Sequence, residues 1–218
     1  MSRWIALVAG LLVGLLAMAP ARLLLPAPPL AAARVDGSLW GADLVGARIG
    51  SATLGNVTLA LAPAALLKGR LQWTLGGALT GSLWRSVNGA GGDGLSGTLA
   101  GMPFARLPVA GLALSDVSLA LDGRGRCQAA AGTVQVQLAT PIAGQSSLSG
   151  AARCDGAGVA VPLASPDGRV RLDLAATPNR WQARLAVTGA APTEAAALAA
   201  AGFQSDAGTL VRQEEQPW

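Results

Sequence analysis

Histidine and tyrosine are both absent from this chain of 218 residues, and only 13% of its residues are charged. Without histidine the chain lacks the side chain that titrates nearest neutral pH and the commonest metal ligand. With the phenol missing too, the usual general base and several arrangements that activate a nucleophile are gone. These absences argue against an enzyme, and no cofactor, metal or small-molecule substrate is expected. Excess charge of either sign is lacking as well. Of 16 Lys and Arg, Arg3 and Arg22 flank the first apolar run, which leaves 14 cations against 12 Asp and Glu over residues 31–218. A balance so small and scattered is no nucleic-acid footprint. Phenylalanine is scarce, at two residues against six tryptophans, so a core must be assembled mostly from Leu, Val and Ala. No long polar block is present that would mark a disordered segment.

A single long hydrophobic run is present. The segment "WIALVAGLLVGLLAMAPA", from Trp4 to Ala21, carries no charge over 18 residues and is bracketed by Arg3 and Arg22. As a helix it spans roughly 27 Å, just short of the roughly 30 Å hydrocarbon core of a bilayer, a gap that a snorkelling Arg22 covers. Residues 1–22 are read as a membrane anchor. Ile5, Leu11, Leu12, Leu15 and Leu16 supply its apolar length, and Trp4 sits where an interfacial aromatic belongs. A cleaved secretory signal is the alternative, with Ala17-Met18-Ala19 or Ala31-Ala32-Ala33 as small-residue cleavage sites. Either reading places the rest of the chain outside the cytoplasm. Four prolines between 20 and 29 forbid a continuous helix, so residues 23–33 are read as an extended spacer.

From residue 34 onward a period of two recurs. Val57, Leu59 and Leu61 alternate with polar or small residues, as do Leu71, Trp73 and Leu75, then Val134, Val136 and Leu138, then Val170, Leu172 and Leu174, and then Trp181, Ala183, Leu185 and Val187. Such alternation marks half-buried strands. No amphipathic helix long enough for a parallel crossover separates them, so an antiparallel sheet with one apolar face is expected. Two places read as helix. "PAALL" at 63–67 gives a single turn, and "PTEAAALAAAG" at 192–202 gives a short C-terminal helix with Pro192 at its start and Gly202 as its stop. The glycine-rich "NGAGGDGLSG" at 88–97 lacks the ending of a phosphate loop and is read as a flexible hairpin loop. Asp116 and Asp122 are taken as turn and solvent-face residues rather than paired catalytic carboxylates.

The phrase Gly-Ser-Leu-Trp occurs at 37–40 and again at 81–84, with no third copy near 125 or 169, so a solenoid is excluded. In each copy the glycine is expected to permit a bend, the serine to face solvent, and the tryptophan to end a strand. Trp40, Trp73, Trp84 and Trp181 are expected to close the apolar sheet face, with contact to a partner as the alternative role. Cys127 and Cys154 are the only cysteines. In an exported domain they read as one disulfide across a loop of about 28 residues, and otherwise as buried thiols.

The anchor followed by "PARLLL", the phrase "VDGSLWGA" at 35–42, the segment "LALAPAALLKGRLQW" at 59–73 and two cysteines ahead of a last set of strands resemble protein N of the bacterial type II secretion system. The resemblance spans essentially the whole chain and rests on structural motifs. It implies a single-pass inner-membrane protein whose residues 34–218 form a periplasmic β-rich domain, sandwich-like or curved. Its partners would be other secretion-system proteins, on the inner-membrane platform and the secretin side, and it would act as an accessory scaffold without catalytic residues. Docking is expected at open strand edges, with Gln135 and Arg171 as candidate edge positions. The rival from another class is a lipid-handling envelope protein of the AsmA-like kind, whose apolar trough stays open to acyl chains.

Overall fold

The computed structural model describes residues 30–38, 40–49, 52–100 and 107–217. The anchor read at 1–22, with Trp4, Ile5, Leu11, Leu12, Leu15 and Leu16, lies outside the described residues. Among those described, no helix is long and apolar enough to cross a membrane.

Among the described residues sixteen strands form one sheet in which every pairing is antiparallel. In chain order they are β1 (Leu30–Ala31), β2 (Arg34–Ser38), β3 (Gly41–Ile49), β4 (Ala52–Leu61), β5 (Arg70–Gly77), β6 (Leu79–Ser86), β7 (Gly89–Ala100), β8 (Val109–Asp122), β9 (Cys127–Ile142), β10 (Gln145–Ala151), β11 (Arg153–Asp155), β12 (Gly158–Ala164), β13 (Val170–Thr177), β14 (Arg180–Thr188), β15 (Gln204–Asp206) and β16 (Thr209–Pro217). Helix α1 (Pro63–Leu66) is a single turn between β4 and β5, and α2 (Pro192–Ala200) follows β14. Each has proline in its first turn, where the missing N–H costs no hydrogen bond.

Neighbours in sequence are nearly always neighbours in the sheet, so the chain runs up and down between two ends. It enters at the near end, where Leu30 pairs with Ile49. The turns before β5, between β6 and β7, between β8 and β9, and between β13 and β14 gather at the far end, as does the end of β16. Among the described residues the sheet pairing thus already includes Leu30 and Ala31, inside the 23–33 stretch that the sequence reads as spacer.

One face carries the core. Across β12, β13 and β14, Leu163 lies opposite Leu172 and Leu172 opposite Leu185, with Val170 opposite Val187 in the next layer. Leu112, Val136 and Leu148 align in the same way across β8, β9 and β10. Leu148, Leu172, Leu185 and Val136 have no solvent exposure, and all four belong to one apolar cluster with Phe203 and Trp181. A flat sheet would leave that face wet, because α2 is too short to cover it. Burial of side chains from β8 to β14 with Phe203 in one cluster requires the sheet to curve over this face. A smaller cluster of Leu44, Ala47, Leu54, Val57 and Leu59 continues the lining through β3 and β4, joined to the first through Leu99.

The glycine-rich run departs from expectation. Residues 87–88 alone make the turn, and Gly89–Ala100 is the full strand β7, paired on both sides. The missing side chains allow close approach: a Cβ at Gly91 would meet the Trp84 ring at 2.7 Å, and one at Gly92 would meet Leu95 at 2.8 Å. Glycine here serves packing rather than looseness. Gly132 answers a bulge in β8, where Asp116 has φ +52°. Its own φ is +99°, and a Cβ there would lie 2.5 Å from the Val117 Cα.

Candidate interaction surfaces

The inner face offers little open volume where the core is best packed. A shallow cleft of about 400 Å³ remains at the near end, bounded by Leu107, Ile142, Leu198 and Phe203 with Glu194 and Arg212 at its rim. Both rim charges are engaged. Glu194 accepts from the Ala191 N–H at 3.4 Å, and Arg212 Nη1 donates to the Ala201 carbonyl at 2.6 Å. Among the described residues no group of three or more Cys, Asp or Glu is placed to hold a metal ion.

The four tryptophans are not a set. Trp181 lies in the core, 8% exposed. Trp73, opposite Leu83, is half-buried on the inner face and packs against the smaller cluster. Trp84 is the residue after Leu83 and so points to the other face, where its ring lies over Gly91 and the Arg70 guanidinium stacks on it at 5.0 Å. Its buried Nε1 has no hydrogen-bond partner among the described residues. Trp40 sits in the β2–β3 turn, 42% exposed, with its carbonyl accepting from the Leu61 N–H. On the inner face Trp181 joins the aliphatic core and Trp73 packs on the smaller cluster, whereas Trp84 lies on the other face.

The two Gly-Ser-Leu-Trp copies also differ from each other. The first ends β2 and turns, with Leu39 outside the described residues. The second runs through the middle of β6, where Ser82 is buried at 9% and Leu83 is 40% exposed, the reverse of what the phrase suggests. A shared tetrapeptide fixes neither register nor face, because pairing with β5 and β7 decides both.

Cys127 and Cys154 are joined, with a Cα–Cα distance of 5.6 Å. The bond links the start of β9 to β11 at the far end, beside the hydrogen bond from the Cys127 N–H to the Ala157 carbonyl. Three carboxylates hold turns or strand ends in place. Asp122 accepts from the backbone N–H and side chain of Arg126 and from the Arg124 N–H, and these bonds hold its carboxyl below the usual aspartate range. Asp167 is lowered first by the Ser165 hydroxyl, and Glu215 first by its bond from Arg180 at 2.6 Å. Asp116 plays a different part: its N–H donates to Ser96 Oγ at 2.9 Å within the bulge. Neither Asp116 nor Asp122 is set up for acid–base chemistry with the other.

Among the described residues no pairing closes the sheet, so it has two edges. One is the outer side of β1 and β2, and the other is formed by β15 and by β16 beyond the three residues that β15 covers. Over Arg212–Pro217, β16 has a strand neighbour on the β14 side alone among the described residues. Charged side chains along this edge discourage random pairing. Gln135 and Arg171, expected at edges, lie on interior strands: β9 is paired with β8 and β10, and β13 with β12 and β14. Their polar side chains mark the solvent face of the sheet, which is a different thing from its edge.

A family model for protein N of the type II secretion system matches residues 28–211. The chain belongs to the type II secretion system protein N family. The match takes in nearly every strand described above, from β1 into β16. Comparisons with curated proteins and with solved structures give no significant match. A protein N is an accessory component of type II secretion, associated with the cell envelope and with other components of that machinery.

Proposed function

We propose that this protein N is a non-enzymatic scaffold anchored in the inner membrane, whose curled sheet stands in the periplasm and docks other secretion components through its open edges. What supports the reading is the edge of the sheet: among the described residues β16 has no strand neighbour over Arg212–Pro217 on the side away from β14, where a partner strand could add. Main-chain pairing of that kind needs no special side chain, in keeping with a chain that has no histidine. Confinement to one membrane by residues 1–22 would raise the effective concentration of partners and let weak contacts suffice.

The lipid-trough reading requires an apolar face that acyl chains can reach. Fully buried Val136, Leu148, Leu172 and Leu185 argue against it for the half of the sheet built from β9 to β14. Removing residues 34–218 while keeping the anchor separates the two readings. The scaffold account expects reduced export of the system's substrates, or loss of a neighbouring component on immunoblots, with outer-membrane lipid composition unchanged. Normal export together with altered lipid composition would replace it by the trough.

A further inference from the structure

Two aliphatic side chains at the far end stand almost wholly in water: Leu67 is 92% exposed and Val87 is 95% exposed, whereas every other exposed large hydrophobic residue described lies between 40% and 43%. They occupy adjoining loops. Leu67 follows α1 just before Arg70, and Arg70 pairs with Ser86 beside Val87. The next turn along, after β8, is in contact range as well, since a Cβ at Gly123 would lie 3.8 Å from the Val87 carbonyl. The same loops and strand ends carry Lys68, Arg70, Arg85 and Arg124, all exposed. Asp122, the acidic residue of this corner, is already engaged by Arg126 at 2.7 Å. Nothing packs on the two aliphatics within the described chain, although burying either inside the fold would have been favourable.

We propose that this corner is a membrane-docking tip that inserts Leu67 and Val87 between the headgroups of an anionic phospholipid bilayer, with Lys68, Arg70, Arg85 and Arg124 at the level of the phosphates. Charge complementarity selects an anionic surface. The form of the tip selects lipid over protein. A stable protein interface needs roughly 800 Å² from each partner around a contiguous core, whereas the aliphatics here, Leu67 and Val87 almost wholly exposed and Leu66 and Leu71 each 43% exposed, stand on loops, a helical turn and a strand end and do not make an interface of that size. A fluid headgroup layer accepts isolated aliphatic anchors at interfacial depth without shape complementarity. The tip lies at the opposite end of the sheet from Leu30, where the chain enters.

The test uses the full chain reconstituted with phosphatidylcholine vesicles and a dye on a cysteine introduced at Asn88→Cys, since the two native cysteines are held in their disulfide. A second protein, labelled at Ser205→Cys on β15 near the other end, reports indiscriminate adsorption. Added vesicles contain phosphatidylglycerol and a quencher in the acyl region. The proposal expects quenching at position 88 and not at 205, absent with phosphatidylcholine vesicles and weakened by salt. Leu67→Asp with Val87→Asp should raise the vesicle concentration required by at least about ten-fold. Lys68→Gln and Arg85→Gln should each raise it about five-fold. All four positions are exposed, so circular dichroism should show an unchanged fold. Equal quenching at both labels, or vesicle binding that survives the double aspartate substitution, overturns the proposal. A dye response to purified secretion proteins with none to anionic vesicles assigns the tip to a protein surface and overturns it too. Either failure leaves the docking of β16 unaffected.

Discussion

Leu172→Ala should destabilise the protein by about 3–5 kcal/mol, the range for removing a wholly buried leucine side chain from a site that cannot collapse. Leu172 has no exposure and lies between Leu163 and Leu185 in register on the two neighbouring strands. Both of those strands are fixed by their own ladders, so the cavity stays open. A loss of that size is a large share of the 5–15 kcal/mol typical of a domain. Urea titration of the far-UV signal should show it as a lower midpoint with little change in slope. Leu67→Ala is the matched control. At 92% exposure the same deletion should change the stability by less than about 0.5 kcal/mol. Comparable losses at both positions would contradict the closed inner face.

Replacing both Cys127 and Cys154 by serine should cost about 3–4 kcal/mol, the loop-entropy value for a link across a separation of 27 residues. The link fastens β9 to β11, a strand of three residues whose other support is β12. Loss should therefore begin locally, with hydrogen exchange rising over 153–160 before the β13–β14 core opens. The oxidised protein should also run faster than the reduced protein on a denaturing gel and resist thiol labelling without reductant. Two thiols that label freely in the denatured, unreduced chain would refute the link.

How much of this was legible beforehand depends on which physical signal each feature leaves. The period of two over Val170–Leu174 and Trp181–Val187 is imposed by burial on one face, and those strands and their buried residues follow from the sequence directly. Both helices were legible from Pro63 and Pro192. β7 was not, because its glycines lower strand propensity while meeting a packing need that arises when Trp84 and Leu83 come over it. Trp84 itself was misplaced: in a strand, Leu83 and Trp84 must face opposite ways, and the sequence alone does not say which of them is turned inward. Edges leave no alternation signal at all. Gln135 and Arg171 show the solvent face, while the open side of β16 follows from strand order, a long-range property. The far-end tip was hidden for a similar reason, since the exposure of Leu67 and Val87 depends on where turns fall.

The docking of β16 is tested most directly by a photo-crosslinking residue at Gln213, exposed on the open stretch of this strand, in cells carrying the secretion machinery. Gln135, exposed but on an interior strand, serves as the comparison. The account predicts a crosslinked band from Gln213 that contains a type II secretion component, and no such band from Gln135. Phospholipid or lipopolysaccharide captured from Gln213, or equal capture from the two positions, would contradict it.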